Sequence, residues 1–101
     1  MAIYYFMIEA VPNQDNPEKD EFEGAFVNCW VNSMNMTLAV TEASKYITSE
    51  GWKVQRIEDQ FMTNRERYEG DLELLDSLEC FDQAVRDGVS AIFNVWPKDE
   101  A

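Results

Sequence analysis

The sequence predicts an α+β fold, a two-layer sandwich in which a four-stranded sheet carries two helices on one face, in the order ββαβαβ. Three observations lead there. Four apolar runs of strand length are bounded by proline, glycine and polar clusters. Two further segments repeat apolar residues at helical spacing, and no linker-like stretch divides the 101 residues, so residues 1–101 read as a single domain. An apolar content of 46% is enough for a core, since disorder requires low hydrophobicity as well as high charge.

Ile3 to Val11 is an apolar and aromatic run interrupted only by Glu9 and closed by Pro12. Its length and its adjacent aromatics Tyr4, Tyr5 and Phe6 favour a strand, and apolar residues on both faces place it inside the sheet. Residues 12–21 combine two prolines, two asparagines and four acids, the composition of an exposed acidic loop. Phe22 to Val31 forms the second strand. By alternation, Ala25, Val27, Cys29 and Val31 share one face, and Phe26, Asn28 and Trp30 share the other.

Asn35 is the expected N-cap of a helix reaching Glu50. Met36, Ala39, Val40, Ala43 and Ile47 form its apolar stripe, and Gly51 supplies a left-handed end. The third strand runs from Trp52 to about Met62. Its alternation breaks, with Trp52 and Val54 pointing one way and Ile57 and Phe61 the other, which implies a bulge or an edge position. Thr63 to Gly70 is polar with room for one helical turn. Asp71 then caps a second helix through Asp87, with Leu74, Leu75, Leu78, Phe81, Ala84 and Val85 as its stripe and Gly88 at its end. Val89 to Trp96 is the last strand, stopped by Pro97, and residues 98–101 read as a frayed tail.

Each helix has one apolar stripe and so covers a sheet from one side, and two helices suffice to cover one face of four strands. In size and layering this resembles the ferredoxin-like class. The order ββαβαβ departs from that fold's βαββαβ, so the resemblance is to an architecture and brings no catalytic motif with it.

Charge and chemistry exclude much. Twenty Asp and Glu against eight Lys and Arg give a net charge of −12, with no histidine. That field repels nucleic-acid backbones and anionic membranes and attracts basic proteins. Without histidine there is no imidazole base, Ser-His-Asp triad or histidine metal ligand. The glycines are isolated, which leaves no phosphate-cradling loop. Cys29 and Cys80 stand far apart in apolar surroundings and read as buried thiols rather than a disulfide framework or metal site. The loop Asp15 to Glu21 lacks the glycine and following helix of a calcium hand. Glu9 is the carboxylate nearest to a buried run, and it reads as the wet end of its strand. No catalytic residue, cofactor or metal site is expected. The apolar run at the N-terminus has no basic residues before it and ends at Glu9, unlike a signal peptide, and the cytoplasm is the expected compartment.

Two features suggest binding. Ala25-Phe26-Val27-Asn28-Cys29-Trp30 and Ala91-Ile92-Phe93-Asn94-Val95-Trp96 share Ala, Asn and Trp at equal spacing. Alternation puts Phe26, Asn28, Trp30, Ile92, Asn94 and Trp96 on the face that the helices leave open, an interaction surface. The second feature is an acidic ridge along the last helix, Glu69, Glu73, Asp76 and Glu79. Lys53, Arg56, Arg65 and Arg67, with Tyr68 beside them, form a basic counterpoint that suits an anion or a carboxylate, although in a chain this acidic the first expectation is that they pair with neighbouring acids.

Three functions follow. The first is a non-enzymatic interaction module that forms a homodimer or holds a protein partner through the open face. The second is an acidic inhibitor, of the immunity type or a nucleic-acid mimic, that blocks a basic site on its partner. The third is a small-molecule binder or small enzyme in which Asn28, Asn94, Trp30 and Trp96 orient a ligand.

Overall fold

In a computed structural model that describes residues 1–98, the chain forms β1 (Ala2–Pro12), β2 (Phe22–Ser33), α1 (Met36–Ser49), β3 (Trp52–Thr63), α2 (Leu75–Asp87) and β4 (Val89–Pro97). Single 3₁₀ turns occupy Arg65–Arg67 and Leu72–Leu74. The expected order ββαβαβ and the four-stranded sheet are present. The strands lie in the order β3-β1-β2-β4, and every neighbouring pair is antiparallel. Apart from Lys98, the expected tail lies outside the described residues.

The local signals act as expected. Asn35 caps α1 by accepting the Leu38 N–H at 2.9 Å, and Ala39, Ala43 and Ile47 are its buried stripe. Asn64 caps the 3₁₀ turn in the polar segment by accepting the Arg67 N–H. Asp71 likewise accepts the Glu73 N–H at 2.9 Å, so it caps the 3₁₀ turn that leads into α2. In α2, Phe81 and Ala84 are buried, whereas Leu75 and Val85 are 54% and 53% exposed, so the stripe is narrower than expected. β1 is interior and β3 is an edge strand. Register shifts opposite Met7/Ile8 and Glu9/Ala10 leave Glu58 and Gln55 as extra residues in β3, and these bulges account for its broken alternation.

One expectation needs correction: the helices do not share a face. α1 packs on the face that carries Phe6, Ile8 and Ala10 of β1 and Ala25, Val27, Cys29 and Val31 of β2. α2 packs on the opposite face, where Phe81 and Ala84 meet Ile3 and Trp30. The physical reason lies in β1 and β2, which are apolar on both sides. A single stripe shows that a helix buries one side of itself, but not against which face of the sheet. α1 carries the chain from β2 to β3 over one face, and α2 carries it from edge β3 to edge β4 over the other.

The loop between β1 and β2 is exposed as expected except at Asn16, which is buried. Its side-chain nitrogen donates to the Gly51 carbonyl at 2.8 Å and its oxygen accepts the Glu18 N–H at 2.8 Å. This fastens the loop to the end of α1. Gly51 has φ +90° and packs against Asn16, so any side chain there would be both strained and crowded.

Cys29 lies in the α1-side core, and burial pushes its thiol up to about 12, which leaves it inert at neutral pH. Gly24 lies beneath the ring of Trp96, and a Cβ there would collide with that ring. Gly24→Ala should therefore lower stability by about 1–3 kcal/mol and shift the Trp96 emission. Denaturant unfolding followed by fluorescence measures both, and an unchanged midpoint would show that Trp96 moves aside freely.

Candidate functional site

The face that carries α2 is only partly covered. Antiparallel register aligns its residues in rows across the sheet: Phe61, Tyr5, Trp30 and Ser90; then Asp59, Met7, Asn28 and Ile92; then Arg56, Glu9, Phe26 and Asn94. The first row lies under α2. Trp30 is 1% exposed and packs with Phe81, Ala84 and Tyr68. The last row lies beyond the helix, where Phe26 is 41% exposed.

Of the six residues expected on an open face, the structure brings all to one face of the adjacent strands β2 and β4 and then divides them. Trp30 is a core residue, because α2 crosses this face rather than the other. Asn28 and Ile92 are intermediate. Phe26, Asn94 and Trp96 remain at the uncovered end, with the Phe26 and Trp96 rings 4.9 Å apart. The Asn94 amide donates to the Phe26 carbonyl at 3.2 Å. Glu9, in the same row, pairs with Arg56 at 3.4 Å, and Arg56 also binds Glu58 at 2.8 Å. Register places Lys53 on this face as well, opposite Val11. The uncovered half thus holds an aromatic pair among two acids and two bases.

Where α2 and the polar segment before it meet the sheet, a cleft of about 400 Å³ opens. Tyr5, Trp30, Phe61, Tyr68 and Leu74 form its apolar walls, and Asn28, Asp59, Arg67 and Ser77 complete it. Its floor is fixed by hydrogen bonds. The Trp30 indole N–H donates to the Tyr68 hydroxyl at 3.0 Å, and the Thr63 hydroxyl donates to the same oxygen at 3.1 Å. The Tyr5 hydroxyl donates to Asn28 Oδ1 at 2.5 Å. Burial pushes the Tyr5 phenol above its ordinary value, Tyr68 and Asp59 add to this, and Arg67 opposes it. The Arg67 guanidinium lies 4.4 Å above the centre of the Phe61 ring. Sequence reasoning marked Asn28, Trp30, Arg67 and Tyr68 but missed Tyr5 and Phe61. Adjacent aromatics in one strand must point to opposite faces, so Tyr5 had a readable signal. Phe61 keeps the face that alternation assigns it, opposite Trp52, because the two one-residue bulges cancel, and Ile57 between them joins Trp52 and Val54 instead. What the sequence did not show is that β3 pairs with β1 and so sets Phe61 beside Tyr5.

The acids of the expected ridge take different roles. Glu69 binds Arg65 at 2.6 Å, and Arg65 also holds Asp82 through two bonds of 2.9 and 3.0 Å. Hydrogen bonds from Arg65 hold the Asp82 carboxyl below its usual range. Glu73, Asp76 and Glu79 are exposed and have no cationic partner among the described residues. No three His, Cys, Asp or Glu among the described residues are grouped to hold a metal ion. No helix there is long and apolar enough to cross a membrane. Comparisons with known protein families, curated proteins and solved structures return no match.

Tyr68→Phe would leave the buried Trp30 N–H without its acceptor, at a cost of about 1–3 kcal/mol. Thermal unfolding measures this, with the Trp30 indole proton resonance as a local report. A variant as stable as the parent would mean that the bond contributes nothing net.

Proposed function

We propose that the protein is a non-enzymatic interaction module that self-associates through the uncovered half of the α2-side sheet face. The observation that carries this reading is the Phe26–Trp96 pair, with Phe26 exposed and Trp96 half-buried, beside a charge-balanced stretch in a molecule of net charge −12. Two strongly acidic copies repel each other over most of their surfaces. Glu9, Lys53, Arg56 and Glu58 sum to zero, so this half-face is where a second copy can approach without that penalty. Exposed aromatics that pack across an interface are the usual source of its binding energy, and the compartment that fits such a module is the cytoplasm. Light scattering should detect a dimer whose dissociation constant changes little between low and high salt. Phe26→Asp or Trp96→Ala should weaken it about thirtyfold or more, the effect of a side chain central to an interface. A parent protein that is monomeric at both salts would refute the reading.

A second reading rests on a separate observation, the exposed and unpaired Glu73, Asp76 and Glu79 on the α2 side. Such a face suits the blocking of a basic site on another protein, as an inhibitor does. Binding of an arginine-rich peptide should then fall steeply with salt. Reversing all three acids to lysine should remove it, and Phe26→Asp should leave it intact. Retention of binding by the triple variant would dismiss this role.

A further inference from the structure

We propose that the cleft between α2 and the sheet binds a small aryl carboxylate, with the ring between the aromatic walls and the carboxylate on Arg67 and Asn28. The volume, about 400 Å³, lies in the range of small-molecule sites. Its walls supply stacking surfaces in Tyr5 and Phe61, backed by the buried Trp30 and Tyr68, which their mutual hydrogen bond fixes. The cleft is therefore formed before any ligand arrives.

The polar groups determine the class of ligand. Arg67 stacks on Phe61 and makes no ion pair among the described residues. In a chain with twenty acids and eight bases, an arginine that lines a cavity without a salt bridge is an unusual arrangement, and its planar fork matches a carboxylate. Stacking on Phe61 holds the fork in place without using its N–H donors. Asn28 accepts the Tyr5 hydroxyl through Oδ1, and its Nδ2 donates to no described residue, so a second donor faces the same space. Asp59 also lines the cleft, and its charge opposes a carboxylate placed near it. Asp59 lies on the same strand face as Phe61 and in the row of Asn28, so the ligand's acid group must sit on the side of Arg67 and Asn28 away from Asp59.

The test uses the full chain, with benzoate as the probe, and follows the tryptophan indole N–H signals by NMR. Saturable movement of the Trp30 signal, with those of Trp52 and Trp96 unmoved, is the expected result. Neutral benzyl alcohol should bind about tenfold more weakly or worse, the value of one charge-assisted bond. Arg67→Gln should erase that difference. Asn28→Asp keeps an acceptor for Tyr5 but turns the donor into a charge, and should abolish benzoate binding. Asp59→Asn should strengthen it. The free spectrum of each variant checks its fold; Arg67 and Asp59 are exposed, so those two substitutions leave the core untouched. Failure of benzoate to move the Trp30 signal at millimolar concentration would overturn the proposal. So would equal binding of benzyl alcohol, or a preference for benzylammonium. None of these readouts depends on the oligomeric state.

Discussion

The hydrogen-bonded contact of Trp30, Tyr68 and Thr63 determines how the second half of the chain is laid on the first. Tyr68 lies just past the 3₁₀ turn that follows β3, and its hydroxyl accepts from a tryptophan of β2 and a threonine of β3. These are buried polar groups, and each would cost free energy if left unpaired. Their pairing holds the polar segment against one face of the sheet, and that determines the face over which α2 must run. Trp30 is thereby enclosed, and the cleft beside it is the space that α2 and the segment fail to fill.

Much of this was legible in the sequence, and the gaps have definite causes. Asn35, Gly51 and Gly88 mark helix ends by local chemistry, which needs no knowledge of the rest of the fold. The alternation in Phe22 to Val31 correctly separates Cys29 from Trp30, because the side-chain period of a strand is fixed by its backbone. What alternation cannot report is which helix covers which face. Cys29 and Trp30 are both core residues, one beneath α1 and the other beneath α2. The similarity between the strands of Trp30 and Trp96 hides the same difference. The two tryptophans lie at opposite ends of one face, and only one has a helix above it. In β3 the two one-residue bulges cancel, so Phe61 keeps the face that plain alternation from Trp52 assigns it, and Ile57 between them is the residue turned to the side of Trp52 and Val54.

Charge is distributed along similar lines. The uncovered end of the sheet balances its acids with Lys53 and Arg56, whereas the surface of α2 leaves Glu73, Asp76 and Glu79 unpaired. The cations of the polar segment divide further: Arg65 is committed to Glu69 and Asp82, and Arg67 lies on an aromatic ring. A net charge of −12 therefore says little about any single region. The physics of each patch follows from which acids have a partner within reach.

The bulges of β3 also bear on the behaviour of the molecule in a crowded solution. A sheet edge with unpaired backbone groups is a template on which further chains can grow as strands. At β3 the two extra residues break the regular spacing of donors and acceptors, and its outward charges discourage a neighbour. At the other edge, Pro97 removes a donor from the end of β4. The β3 rim thus offers no long, regular ladder, whereas β4 runs regularly from Val89 to Trp96. Assembly through strand edges, the route to fibres, is therefore disfavoured at β3 and falls to the β4 side alone.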